Sequence, residues 1–524
     1  MSISAAVSLI ICTSILGVLV YFLFLRRGGG SNGRPLPPGP RPWPIVGNLP
    51  QLGPKPHQSM AALARVHGPL MHLKMGFVHV VVAASATVAE KFLKVHDTNF
   101  LSRPPNSGAE HIAYNYNDLV FAPHGPRWRL LRKICALHLF SSKALDDFRH
   151  VREEEVGILI RNLASVGEMP ASIGQMMYVC ATNAISRVML GRHVLGDEHR
   201  GAAGGGDTTA EEFKAMVVEL MALAGVFNVG DFIPPLKGLD LQGVVAKMKK
   251  LHQRFDAFFS GILHDHKING SNAAEGHVDL LTTLISLKDV DNNGEGGKLT
   301  DTEIKALLLN LFTAGTDTTS STVEWAITEL IRNPNILARV RKELDLIVGK
   351  DKLVKESDLG QLTYLQAVIK ENFRLHPSTP LSLPRVAQES CEINGYYIPK
   401  DSTLLVNVWA IGRDPNVWPD PLEFRPERFL MGGEKPNVDV RGNDFELIPF
   451  GSGRRICAGM NLGIRMVQLL IATMVHAFDF ELANGQLAKD LNMEEAYGIT
   501  LQRADPLVVH PRPRLARHVY QAQV

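Results

Sequence analysis

Hydrophobic and polar positions follow two different periods along most of this chain, and at its start they follow none. Residues 5–25 are dominated by Ala, Val, Ile, Leu and Phe, and no charge occurs before Arg26. A helix of about 20 residues rising about 1.5 Å each spans the roughly 30 Å apolar core of a bilayer, so residues 1–25 are predicted to form one transmembrane anchor. A cleaved leader would place its basic residues first and carry a shorter apolar run. Here Arg26, Arg27, Arg34 and Arg41 follow the run, which keeps the rest of the chain on the cytosolic side. Residues 26–45 then read as a hinge. Gly28, Gly29, Gly30 and Gly33 give a flexible joint, and Pro35, Pro37, Pro38, Pro40, Pro42 and Pro44 a stiff spacer that would fix how a soluble body lies on the membrane.

From residue 46 to 524 the pattern is that of one large, mainly α domain with small β-sheets. Helical spacing is read at 61–66, 128–139, 211–224 and 302–332, with an amphipathic run at 460–478. Residues 70–84 alternate as a hairpin around Met75-Gly76-Phe77, and 391–409 as a strand pair with Asn394-Gly395 at its turn. Loops are predicted at 201–209 and 291–298. Strands and helices do not alternate regularly, which disfavours a doubly wound parallel sheet.

Composition narrows the chemistry by exclusion. Among 524 residues 45% are apolar and 21% charged, enough for a buried core. The 55 Lys and Arg nearly balance the 53 Asp and Glu, which argues against nucleic acid as a partner. None of the 19 His forms a His-Glu-x-x-His pair, and His264 and His266 read as part of a solvated loop. The five cysteines (Cys12, Cys135, Cys180, Cys391, Cys457) include no Cys-x-x-Cys, so neither a disulfide framework nor a structural zinc site is expected.

Four constellations carry chemistry. In the first, Phe450-Gly451-Ser452-Gly453-Arg454-Arg455-Ile456-Cys457-Ala458-Gly459 puts a cysteine on a glycine-rich loop that feeds a helix. Free N–H groups, the helix dipole and two arginines favour a thiolate, the metal-binding form. Gly453 and Gly459 leave room for a flat cofactor against the backbone. A dinucleotide loop is excluded, because the third glycine of that fingerprint is here Ile456. In the second, Glu371 and Arg374 share a helix face at i, i+3. In the third, Trp128 and Arg132 lie one turn apart and can clamp a carboxylate. In the fourth, Ala314-Gly315-Thr316-Asp317-Thr318-Thr319 interrupts the longest helix with glycine and β-branched residues. It predicts a local opening for water or a diatomic ligand, with Asp317 and Thr318 as acid and alcohol. Its bland rival is Ser and Thr back-bonding to their own helix.

The order of these motifs, with Pro426-Glu427-Arg428-Phe429 between the second and the first, resembles the cytochrome P-450 family of haem-thiolate monooxygenases. The resemblance implies a helical prism with small sheets and a haem b held by the thiolate of Cys457. It also implies Phe450 shielding the sulfur, Gly459 beside it, and Trp128, Arg132, Arg385 and Arg455 on the haem propionates. Glu371, Arg374 and Arg428 become a structural triad, and Asp317 and Thr318 the catalytic proton-delivery pair. Dioxygen is the implied co-substrate. Electrons are implied to come from NADPH through a cytochrome P-450 reductase carrying FAD and FMN, at the endoplasmic reticulum membrane with the catalytic domain facing the cytosol. Arg129, Lys133 and Arg454 are candidates to receive an acidic reductase surface.

Five further segments, at 103–108, 217–220, 432–440, 442–446 and 497–502, resemble plant flavonoid 3'-hydroxylases. The implied reaction hydroxylates the B-ring of flavanones, dihydroflavonols, flavones or flavonols beside the 4'-hydroxyl. Its rivals are a flavonoid 3',5'-hydroxylase and another phenylpropanoid hydroxylase. A reading of a different class is a membrane scaffold of the same fold that holds other flavonoid-pathway enzymes. Candidate pocket residues are Ser107, Phe121, Phe227, Asn310, Phe312, Ala314, Thr379, Pro380, Leu381 and Thr500, with Thr500 tied to single hydroxylation.

Overall fold

The longest helix, Asp301–Arg332, starts where Thr300 and Glu303 cap each other: the Glu303 N–H donates to Thr300 Oγ1 at 3.2 Å and the Thr300 N–H to Glu303 Oε2 at 2.9 Å. Arg127 donates to the same Glu303 at 2.6 Å, which fixes the helix Pro126–His138 to this end. The far end stops at Asn333, before Pro334. At about 1.5 Å per residue the helix is roughly 48 Å long, and three others pack along it: Ile173–Leu190, Thr363–Leu375 and Met460–Ala477. This computed structural model describes residues 34–195, 208–269, 278–288 and 298–521, with positions 13, 14 and 17 besides. The predicted anchor (1–25, those three positions apart), the first part of the hinge (26–33) and the loop stretches 201–207 and 291–297 lie outside the described residues.

Two large apolar cores meet the central helix at different heights. One gathers Ile304, Leu307, Leu308 and Phe312 with the helices Thr208–Gly225 and Val244–Asn269. The other gathers Val323, Ile327 and Leu330 with Val368, Leu470 and Met474. Between Phe312 and Val323 the helix is polar. Met460–Ala477 is apolar enough to cross a membrane, yet most of it is buried, so it serves as a core helix.

The strands form small sheets at the periphery. Leu70–Met75 and Val78–Ala83 pair antiparallel around Gly76, which takes φ +54° and has no room for a Cβ beside the Phe232 carbonyl. Cys391–Ile393 and Tyr396–Ile398 pair around Asn394 and Gly395, both at positive φ, as the Asn-Gly signal predicts. The single pair predicted over 391–409 is corrected beyond that turn: Thr403–Val406 leaves to pair in parallel with Val78–Ala83, and Val408–Ile411 is helical. His264 and His266 belong to the helix Val244–Asn269 rather than a loop, and His266 is bonded to Thr282. Residues 208 and 209, expected in a loop, begin the helix Thr208–Gly225. The described part of the proline strap lies against the body: the His72 N–H donates to the Pro38 carbonyl at 2.8 Å and that of Tyr397 to the Pro35 carbonyl at 2.9 Å.

The predicted triad forms a buried network that locks the helix Thr363–Leu375 to the segment 419–428. Arg374 grips both oxygens of Glu371 at 2.7 Å, and Arg428 reaches Oε1 at 3.2 Å. The remaining guanidinium donors go to the carbonyls of Gly412, Pro419, Pro421 and Glu423 and to that of Asp420. All three side chains are fully buried. Glu371→Gln leaves two arginines without their counter-charge, and removing one partner from such a site costs about 3–5 kcal/mol. The expected outcome is a large fall in melting temperature and in yield of folded holoprotein; a variant melting within a degree or two of wild type would refute this role.

Candidate active site

The cysteine loop is shaped by two glycines in the left-handed region, Gly451 at φ +73° and Gly453 at φ +72°. Between them and the sulfur, the Cys457 N–H donates to the Phe450 carbonyl at 3.0 Å and the Ile456 N–H to that of Gly453 at 3.0 Å. At Gly453 a Cβ would stand 2.4 Å from Asp97 Oδ1 and 2.5 Å from the Leu93 carbonyl, so this glycine makes room for the helix behind the loop. A Cβ at Gly459 would meet Phe140 at an ordinary 3.6 Å. Phe450 packs edge-on against Phe373 at 5.3 Å and lies next to Gly463, which carries the loop onto the following helix.

Burial pushes the Cys457 thiol up, while the Gly459 N–H and the charge of Arg132 pull it down. The two arginines expected to stabilise the thiolate are occupied elsewhere. Arg454 pairs with Asp97 at 3.0 Å, and Arg455 donates to the Leu101 and Ala122 carbonyls at 2.7 and 2.6 Å. Yet Cys457 retains accessible surface. Away from its ends, Ala314 alone is exposed on the central helix. Cys457 on its loop and Ala314 in the middle of a core helix thus both keep accessible surface.

One edge of this region carries an excess of positive charge. Arg103, Arg385 and Arg455 lie close enough to depress one another, and Arg455 is drawn down to about 10, chiefly by burial. Arg132, half-buried, has no hydrogen-bond or ion-pair partner among the described residues. Arg455 Nη1 is buried and unpartnered. Two acids stand nearby: Asp97, shared by Arg385 and Arg454, and Asp118, which burial raises to about 6. A soft sulfur on one face and unneutralised guanidiniums at an edge fit a flat metal macrocycle bearing carboxylates.

Several sequence-predicted residues have other tasks. The Trp128 indole donates to the Leu119 carbonyl at 3.2 Å, and its ring carries the Arg455 guanidinium at 4.2 Å, so it supports that arginine. Arg385 is taken up by Asp97 and by the Ser452 carbonyl at 2.7 Å, so it braces the loop. The predicted opening at Gly315 is absent. The central helix runs through unbroken, with Thr318 and Thr319 bonded back to the carbonyls of Ala314 and Gly315 at 2.8 Å. Gly315 instead lets Ile185 approach, since a Cβ there would meet its side chain at 2.4 Å.

Asp317 and Thr318 point apart, as neighbours on a helix must. Asp317 is buried, accepts from Thr500 Oγ1 and from Gln502 Nε2 at 2.6 Å, and is raised by burial to about 6. Thr500 is therefore bonded to the acid.

Ser107 is fully buried and ties its helix to Asp231 and Asn228, while Asn310 holds Asp118, Leu119 and Val120. Phe312, Pro380 and Leu381 are packed in the interior. Of the pocket candidates Phe121, Phe227, Ala314 and Thr379 keep accessible surface. Arg103, Asp97, Asp118 and Gln502 were not singled out by sequence as site residues. Arg103 and Gln502 stood in noted segments, and nothing in their spacing foretold a guanidinium cluster or a contact with Asp317.

This geometry defines a class, that of haem-thiolate proteins. The chain matches the cytochrome P450 family model over residues 37–508 and belongs to that family. Among curated relatives it is 69% identical to a flavonoid 3'-monooxygenase of Petunia hybrida, covering 98% of this chain and 99% of the relative. It is 63% identical to one of Arabidopsis thaliana over 97% and 98%. It is 56% identical to a flavonoid 3',5'-hydroxylase of Crocosmia x crocosmiiflora over 97% and 96%.

Cys457→Ala is expected to abolish the thiolate-type carbon monoxide spectrum, and a normal spectrum in that variant would remove Cys457 as ligand. Asp317 gives a pH test. Its folded carboxyl ionises near 6 and its unfolded one near 3.8. Its burial is therefore without cost below pH about 4 and destabilising above about 6, by roughly 3 kcal/mol at the limit. Asp317→Asn should match wild-type melting at pH 4 and exceed it at pH 8; an offset independent of pH would contradict the buried-acid account.

Proposed function

We propose that this chain is an NADPH- and O2-dependent monooxygenase that hydroxylates the 3' position of the flavonoid B-ring. The observation that carries the substrate class is the 69% identity to a flavonoid 3'-monooxygenase, which leaves almost no part of either chain unmatched. The family and the accessible thiol of Cys457 support the chemistry.

When bound, haem supplies dioxygen binding and activation and the one-electron chemistry. Cys457 would hold the iron, and Arg132 and Arg455, which keep unspent donors near the cysteine loop, would take the carboxylates. Ala314, small and accessible, would leave space for a flat phenolic ring. Phe121, Phe227 and Thr379 supply walls with one hydroxyl. Asp317 is the proton-holding group, since a carboxyl ionising near 6 can take and give a proton at cytosolic pH. Thr318 places a hydroxyl one turn from Ala314, its own proton donated to the Ala314 carbonyl and its oxygen left to accept.

Electrons come from a flavoprotein reductase that uses NADPH. Arg129 and Lys133, exposed on the helix that carries Arg132, supply charge complementary to an acidic partner. Residues 1–25 anchor the chain in the endoplasmic reticulum membrane with its catalytic domain in the cytosol, and the strap seated on Pro35 and Pro38 passes the anchor's orientation to the body.

A 3',5'-hydroxylase is the second reading, favoured by the 56% relative that bears that name. Product analysis separates the two. Membranes with a normal thiolate-type carbon monoxide spectrum are supplied with reductase, NADPH and a 4'-hydroxylated flavanone. One added oxygen at 3' is the expected outcome; two added oxygens select the second reading, and no product refutes both.

A further inference from the structure

Thr500, expected from the sequence to line the substrate pocket, donates its hydroxyl to Asp317 in the structure. It lies in the turn between the short strands Glu495–Ala496 and Gln502–Arg503. Neighbouring elements pin that turn: the Ile499 N–H donates to the Met221 carbonyl at 3.0 Å and the Leu501 N–H to that of Ser378 at 2.7 Å. Ser321, one turn along the central helix from Asp317, donates to the Leu501 carbonyl at 2.8 Å. A Cβ at Gly225 would come within 2.4 Å of the Gly498 backbone, so helix and turn are in direct contact. On an extended segment residues 500 and 502 project to the same side. Here both meet one carboxylate, Thr500 on Oδ2 and Gln502 on Oδ1.

We infer that Thr500 and Gln502 are positioning residues for Asp317, a two-pronged clamp on the acid of proton delivery that sets its direction and its protonation from outside the central helix. This rests on the reading of Asp317 as that acid. Both prongs are neutral, so the carboxylate gains hydrogen bonds without a fixed cation that would hold it permanently ionised. The surrounding groups leave this arrangement in control. From the helix Ile173–Leu190, Tyr178 comes near enough for Asp317 to push its phenol up, with Lys214 over its ring at 5.7 Å. Glu324, further along the central helix from Asp317, is held by the Leu507 N–H at 2.7 Å and feels Arg503. Burial raises Asp317, and the two donors are what lower it. A residue at 500 would then alter turnover through the acid, without touching substrate.

The test compares Thr500→Val, which keeps the shape and loses the donor, with Thr500→Ser, which keeps the donor, and adds Gln502→Met for the other prong. Holoenzyme in membranes with reductase is assayed for product formed per NADPH across pH. In parallel, the infrared band of the protonated carboxyl, assigned by its loss in Asp317→Asn, is titrated without substrate. Loss of one donor should raise the band's midpoint, and the pH limb of coupling with it, by about one unit; the serine variant should track wild type. A valine variant whose KM or product pattern changes while band and limb stay fixed would overturn the inference and return Thr500 to the pocket wall. If Asp317→Asn itself leaves coupling and its pH limb intact, the proton-delivery reading fails, while the infrared titration still decides whether these residues hold the carboxylate. Should Thr500→Val fail to assemble, Gln502→Met reports on the same group.

Discussion

The interior of this protein is built around positive charge that its own acids do not neutralise. Arg103, Arg132, Arg385 and Arg455 converge near the cysteine loop, faced by Asp97 and Asp118. Asp97 is divided between two arginines, and Asp118 is held mainly by Asn310 and three backbone N–H groups. Charges taken out of water without partners are strongly unfavourable. On the proposed function, the unspent donors of Arg132 and Arg455 would suit a dianionic guest, as the sulfur of Cys457 would suit a metal. Trp128, Leu101 and Ala122 serve this arrangement by holding Arg455 in place through its ring face and its other donors.

The second constraint is the central helix. Its two ends belong to separate apolar cores, and its middle to neither. A run of Thr, Ser, Gly and Asp across that gap keeps the helix intact by back-bonding its hydroxyls, and leaves Ala314 as the accessible face. The accessible face at Ala314 needs no break in the helix. Asp317, on another face of the same turn, is coupled to the C-terminal segment, so the acid and the ligand space are controlled by different parts of the chain.

Much of this was legible in the sequence because it is local. The Asn394-Gly395 turn and the span of the central helix, read as 302–332 and stopped at Pro334, follow from short-range rules. The motif order led to Cys457 and to the triad of Glu371, Arg374 and Arg428, and the structure brings that triad together. What stayed hidden depends on long-range pairing. Thr403–Val406 pairs with Val78–Ala83, which lies more than 300 residues earlier, so no alternation within 391–409 could reveal it. Trp128 and Arg385 have the right residue types for a carboxylate clamp, yet carbonyls and an aspartate distant in sequence claim their donors. Thr500 reaches across 183 positions to Asp317, a contact for which a single sequence holds no signal.

The central claim is that unspent guanidiniums, together with the thiol, define the guest. It is tested most directly by offering apoprotein either haem or its dimethyl ester, which has the same ring and iron but no carboxylates. Retention after gel filtration and the thiolate-type carbon monoxide spectrum are then measured. The account predicts that haem is retained with a thiolate spectrum and that the ester is largely lost, with Arg132→Met narrowing the difference. Equal retention of the two, with the same spectrum, would contradict it.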